Sequence, residues 1–132
     1  MTLTGVVWTP IGNVFDENGY IEHCFSGKFY GNGHTISNID FTSIYGKDLL
    51  VGFFGDIEEA EVSGLTIEGN LDVTNTDNEY TVYGTIAGFA GDCTITDCVS
   101  NVSFNNNGKY VYGFIGMVGQ AYGTTFEYCE NT

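Results

Sequence analysis

Arginine is absent from this sequence, and its only strong cations are Lys28, Lys47 and Lys109, set against seventeen acidic residues for a formal charge of −14. Neutralising phosphate takes a cationic face, so the composition excludes nucleic acid and anionic membrane surfaces as natural partners. Apolar runs are short. None approaches the roughly 18 residues of a membrane-spanning helix, so membrane insertion is not expected. The opening Met1-Thr2-Leu3-Thr4 lacks the basic stretch of a secretory leader. The cysteines, Cys24, Cys93, Cys98 and Cys129, include no C-x-x-C, and His23 and His34 form no H-x₃₋₅-H pair, so zinc spacing is missing. With 132 residues, 42% of them hydrophobic, one domain can bury a core without disulfides, and free, mostly buried thiols are expected.

What the chain does have is glycine, nineteen of them, with many Asn, Asp, Thr and Ser between short apolar and aromatic runs. No window sustains a 3.6-residue period. The best helical stretch, Asp56 to Leu65, is short, acidic and interrupted by Gly64. Period-two alternation is plain instead in His34-Thr35-Ile36-Ser37, Leu65-Thr66-Ile67-Glu68, Asn70-Leu71-Asp72-Val73 and Asn101-Val102-Ser103-Phe104. The pattern predicts an all-β fold of short strands and tight turns.

Two segments recur in fixed order. Val51-Gly52-Phe53-Phe54-Gly55, Ala87-Gly88-Phe89-Ala90-Gly91 and Ile115-Gly116-Met117-Val118-Gly119 share a glycine-framed apolar pattern. After each comes a second segment: Val62-Ser63-Gly64-Leu65, Ile95-Thr96-Asp97-Cys98 and Phe126-Glu127-Tyr128-Cys129, with Ile36-Ser37-Asn38-Ile39 as an earlier copy. Apolar residues three apart cannot both point inward from one straight strand, whose side chains alternate. A corner between them resolves this. Asn38, Gly64 and Asp97 are residue types that tolerate positive φ there; Tyr128 suits it less well. At roughly 3.3 Å per residue, about thirty residues close a three-sided coil. The expected architecture is a parallel β-helix, or β-solenoid, of about four coils in a single domain over 1–132. Its repeats fall near 25–48, 51–83, 87–112 and 115–132, with Ile39, Leu65, Cys98 and Cys129 in one inward ladder. Ser37, Ser63 and Thr96 should face outward.

Trp8-Thr9-Pro10-Ile11-Gly12, the run from Phe25 through Gly31-Asn32-Gly33-His34-Thr35-Ile36-Ser37-Asn38-Ile39, and Gly52-Phe53-Phe54-Gly55 together resemble the GLUG-motif repeat proteins. These are bacterial surface and secreted chains, some adhesin-like, some attached to immunoglobulin-A-type metallopeptidases. The resemblance covers nearly the whole chain; Ala87–Gly91 and Phe126–Cys129 are loose copies. It implies a right-handed β-helix located outside the cytoplasm.

β-Helices also carry polysaccharide enzymes, so chemistry has to be sought residue by residue. Proton abstraction beside a uronate is poorly equipped without arginine. Asn75-Thr76-Asp77 echoes a polygalacturonase tripeptide, but the companion paired-Asp, Gly-His-Gly and Arg-Ile-Lys motifs are missing. His34 fits a Gly-Asn-Gly-His turn better than a triad, and His23-Cys24 has no second ligand pair. No catalytic residue is assigned, and no cofactor. Asp56, Glu58, Glu59 and Glu61 form the densest acidic run, a solvated loop or at most a weak calcium site, since calcium takes several oxygens. Tyr80, Tyr83, Tyr110, Tyr112 and Tyr122 lie around the glycine segments as a candidate stacking stripe for carbohydrate or protein; the alternative is a ladder of like residues. An ice-binding array is interrupted by Glu61 and Glu127.

The expected function is a non-catalytic, extracellular repeat module of a bacterial surface protein, an adhesin-like stalk or ligand-binding solenoid; the alternative is a fragment of a polysaccharide-acting enzyme. The final strand segment, from Phe126, suggests a piece of a longer array and a weak end-to-end self-association.

Overall fold

A computed structural model describes residues 8, 10–12, 14–15, 21–40, 50–73, 82–106 and 117–131. Among these there is no helix; thirteen strands carry the fold. They are β1 (Val14–Phe15), β2 (Ile21–His23), β3 (Lys28–Asp40), β4 (Leu50–Val51), β5 (Phe54–Glu58), β6 (Glu61–Val73) and β7 (Val82–Tyr83). Then follow β8 (Ala87–Gly91), β9 (Thr94–Thr96), β10 (Val99–Asn106), β11 (Val118–Tyr122), β12 (Thr125–Glu127) and β13 (Glu130–Asn131). β1 and β2 pair antiparallel; every other pairing is parallel. The Asp56–Leu65 stretch is two strands with a corner between them.

Successive passes of the chain lie on one another in order. β11, β8 and β5 form one sheet, β4 and β7 another, and β12-β9-β6-β10-β13, with β3 beside β6, a third. Parallel neighbours need long connections, and here the next pass returns 33 and then 31 residues later. Inward positions therefore stack: Val62 on Ile95 on Phe126, and Leu65 on Cys98 on Cys129. Ile36, Ile39, Val62, Leu65, Ile95 and Cys98 are all buried, while Ser37, Ser63 and Thr96 are half-buried. Each buried Val, Leu or Ile contributes about 1.5–3 kcal/mol. Five rings, Trp8, Phe25, Phe29, Phe53 and Phe54, close the core at the first pass. Trp8 stacks on Phe53 at 4.7 Å and donates its indole N–H to the Phe53 carbonyl at 2.9 Å.

Two left-handed corners shape each of the last three passes. Glu59, Asp92 and Gly123 occupy the first, and Gly64, Asp97 and Tyr128 the second, all with φ between 50° and 65°. Asn38 also has positive φ, at 58°. All four expected corner positions have this conformation, including Tyr128, the residue type least suited to it, at φ 54°. The residue after each corner turns inward: Ala60, Cys93 and Thr124 after the first, Leu65, Cys98 and Cys129 after the second.

Two registers differ from the sequence reading. Phe29, not Ile36, lies beside Val62; Ile36 pairs with Ile67, and Ile39 with Gly69. The register shifts twice in β3, between Tyr30 and His34 and between Ile36 and Ile39, and Asn38 lies in the second shift. Ile39 therefore leaves the Leu65 ladder, and Lys28 and Tyr30, rather than Thr35 and Ser37, begin the outward row of Glu61/Ser63, Thr94/Thr96 and Thr125/Glu127. Ile39 fits where it does because Gly69 has no side chain: a Cβ there would lie 2.5 Å from the Ile39 carbonyl oxygen. Likewise the pairings of Phe54 with Ala87 and of Val118 with Ala87 set Gly55, Gly88 and Gly119 in one column. The expected alignment had set Gly52 over Gly88. Because glycine recurs every third residue in each copy, the motif fits two registers.

Candidate functional site

The acidic residues of β5 and the corner after it are distributed to different environments. Asp56 is buried at 3% exposure, and its Oδ1 has no hydrogen-bond partner. Its backbone is fully engaged: the Asp56 N–H donates to Gly12 O, and Phe25 N–H donates to Asp56 O. Desolvation, then the neighbouring Glu58 charge, pushes its carboxyl up to about 6. Glu58 is half-buried, its carboxylate leaning over Gly91, the next pass's equivalent position. Desolvation, then Asp92 and then Glu59, raises its pKa. Asp92 leans over Gly123 in the same way. Glu59 is exposed at its corner, and Glu61 pairs with Lys28 at 3.7 Å on the outer face. Asp56, Glu58, Glu59 and Glu61 thus point to separate surroundings. No group of three His, Cys, Asp or Glu among the described residues is placed to hold a metal ion.

Asp92 is the charge that acts most on Glu58, ahead of Glu59, and sequence reasoning passed over it. The signal was present: Glu59-Ala60, Asp92-Cys93 and Gly123-Thr124 are three copies of a corner residue followed by a small inward one.

Tyr122 and Tyr83 separate. Tyr122 is 72% exposed, in the column that begins with Glu58 and passes through Gly91; Tyr83 is 6% exposed and belongs to the core. A ring so enclosed has no face for stacking on a ligand, so of the two only Tyr122 offers one. Tyr83 pairs with Val51. Tyr80, Tyr110 and Tyr112 lie outside the described residues, as does Asn75-Thr76-Asp77. His34 is exposed and bonds through Nδ1 to the Gly31 carbonyl at 2.9 Å; Cys24 and Ser26 share a 3.4 Å contact at the surface.

Inside, the thiols work as hydrogen-bond donors. Cys98 Sγ donates to Thr96 O at 3.3 Å and to Val62 O at 3.9 Å, and Cys129 Sγ to Glu127 O and Ile95 O, both at 3.4 Å. All four cysteines are free; Cys93 and Cys98 are buried, Cys129 is half-buried and Cys24 exposed. Burial pushes the Cys98 thiol up to about 11 and also raises that of Cys93. Both are held as protonated donors.

The arrangement presents carboxylates and the phenols of Tyr30, Tyr122 and Tyr128 outward from the stack, groups that hydrogen-bond hydroxyls and stack on sugar rings. No family model matches the chain, and no solved structure matches it. The chain is 34% identical over 110 residues to halomucin of Haloquadratum walsbyi, across 83% of its own length. It spans about 1% of the length of that curated relative.

Proposed function

We propose that this chain is a stretch of a right-handed parallel β-solenoid, about four coils of the GLUG-motif kind, serving as a non-catalytic module of a long extracellular or cell-surface protein. The observation that carries the reading is the parallel stacking of successive passes with their left-handed corners in column. A rod built this way adds length by adding passes. Two further facts support it: the chain matches a small part of a far longer relative, and that relative bears a mucin's name. The relative is archaeal, so it lends no support to a bacterial source. The acid-rich, arginine-free surface suits a chain that stays solvated and does not bind polyanions. On such a rod Tyr122, beside the Glu58–Asp92 carboxylates, is the described residue best placed to meet a carbohydrate or protein ligand.

A glycan and extracellular-matrix array, run with the chain and with Tyr122→Ala, tests this. Binding weakened by the substitution, with no polymer turnover, is the expected result. Turnover of a uronate-containing or neutral polysaccharide, abolished by Asp56→Asn, would overturn it in favour of a polysaccharide-acting enzyme.

A further inference from the structure

Asn101-Val102-Ser103 is an asparagine, a residue other than proline and then a hydroxyl, the acceptor pattern for N-linked glycans. Neither the fold nor the ligand reading makes use of it. No other asparagine in the sequence has Ser or Thr two residues on. Such a triplet arises easily by chance, so its placement decides whether it can act.

The triplet lies on β10, within the stack. Side chains alternate between the faces of a strand, so residues 101 and 103 share one face and 100 and 102 the other. Ser100 identifies the inward face: it is 1% exposed and accepts from the Thr85 hydroxyl at 2.6 Å. Val102 is half-buried and packs against the core, while Asn101 and Ser103 are both exposed. A slip of one residue would have turned the amide and the hydroxyl into the core together. In the observed register they stand on one outward face, two residues or roughly 6.6 Å apart along the strand. A transferase that must reach both groups at once meets them on the same side.

The surrounding surface is short and polar. On the preceding pass Glu68 lies beside Asn101 and Asn70 beside Ser103. Thr66 and Val99 complete the outward positions nearby, and none of these side chains is larger than that of Glu68. A sugar joined to Asn101 therefore meets no bulky neighbour on these two strands. Tyr122 belongs to a different sheet, that of β5, β8 and β11.

We propose that Asn101 is an N-glycosylation site, an inference that rests on the reading of the chain as extracellular. The sugar donor is an oligosaccharide joined through its anomeric carbon to a polyprenyl pyrophosphate, and the catalyst is a membrane-bound oligosaccharyltransferase. The Asn101 amide nitrogen attacks the anomeric carbon. The N–C bond forms as the C–O bond to phosphate breaks, and the bonding pair leaves with the polyprenyl pyrophosphate. The amide gives up one proton to a base of the transferase, and nothing is oxidised or reduced. The product is a neutral secondary amide, so the chain keeps its charge of −14. The glycan clothes the β6–β10 face with hydroxyls and leaves the sheet that carries Tyr122 open to a ligand.

The test incubates the whole folded chain with a purified oligosaccharyltransferase that reads N-x-S/T and a synthetic polyprenyl-pyrophosphate oligosaccharide. Intact-mass and peptide mass spectrometry should find one glycan, on the peptide that holds Asn101, with the circular dichroism spectrum of the chain unchanged. Asn101→Gln and Ser103→Ala, both at exposed positions, should each abolish the addition, and Ser103→Thr should retain it. No glycan on the folded chain, whether or not a free peptide of residues 99–106 accepts one, overturns the proposal. So does a glycan that survives Asn101→Gln, or one whose addition unfolds the chain. The readout is mass alone, so failure here leaves the ligand array with Tyr122→Ala standing, and failure of the array leaves this assignment standing.

Discussion

Cys93 and Thr124 occupy the same position on successive passes and make the same hydrogen bonds with different chemistry. Cys93 Sγ donates to Gly91 O at 3.1 Å and Ile57 O at 3.3 Å; Thr124 Oγ1 donates to Tyr122 O at 3.3 Å and Ala90 O at 3.0 Å. In each case one acceptor is two residues back and the other lies on the preceding pass. Each side-chain atom also accepts from a backbone N–H, that of Ala60 for Cys93 and that of Cys93 for Thr124. The position selects for a small donor that can knit one corner to the next, and thiol and hydroxyl both qualify.

Cys93→Ser should therefore keep stability within about 1 kcal/mol, because the donor survives, and Cys93→Ala should lose about 1–3 kcal/mol as the Ala60 N–H is left without its acceptor. Urea unfolding of the two variants side by side distinguishes a hydrogen-bonding role from simple filling of space. Equal losses would assign the site to packing alone.

Asp56 makes stability fall as pH rises. Its folded pKa, about 6, exceeds its ordinary value of 3.8, so its contribution is fully present below pH 3.8 and is lost as pH climbs through 6. Glu58 is raised as well and acts with the same sign. Asp56→Asn should stabilise the chain by about 2 kcal/mol at pH 7 and have little effect at pH 4. The stability difference between variant and parent, measured by urea unfolding from pH 4 to pH 8, should grow through pH 6; a flat difference would refute the assignment.

The same ladder should give unequal losses. Ile95→Ala, at a fully buried position, should cost about 2–5 kcal/mol, as should Leu65→Ala, and Phe126→Ala, with its ring partly in water, about 1 kcal/mol. Thermal or urea unfolding of the three variants measures this.

Thiol reactivity should follow burial. Cys24 should label within the dead time of a colorimetric reagent, Cys129 slowly, and Cys93 and Cys98 only on unfolding. After denaturation without reductant all four should titrate, and peptide mass spectrometry should find no Cys98–Cys129 crosslink.

The corners were legible in the sequence because few residue types accept positive φ: Asn38, Gly64 and Asp97 stand out locally, and the inward residues beside them follow from the two-residue alternation. The all-β class, its parallel strands and the buried Ile95 and Cys98 followed from the same pattern. Register was not legible. Two extra residues around Gly31-Asn32-Gly33 and one around Ser37-Asn38 change the register within β3, so that Ile36 faces Ile67 and Ile39 faces Gly69, and a shift in register leaves the composition of the segment unchanged. Candidate site residues were harder still. Tyr83 and Tyr122 look alike as letters, and only their places in the stack make one core and the other surface. Asp56 reads as part of a solvated acidic run, yet it is buried in a strand whose backbone there bonds to Gly12 and Phe25, more than thirty residues away in sequence.

The two corners also divide the chain into a metric part and a free part. From 59 to 64, 92 to 97 and 123 to 128 the spacing is identical, whereas the interval from one pair to the next shortens from 33 residues to 31. Length is therefore conserved where the corners are cut and is negotiable everywhere else along the circuit. A residue inserted between 59 and 64 would throw the side chains of that corner segment out of phase with the column. Such a scaffold can vary its loops from pass to pass, and so what it displays, without losing count.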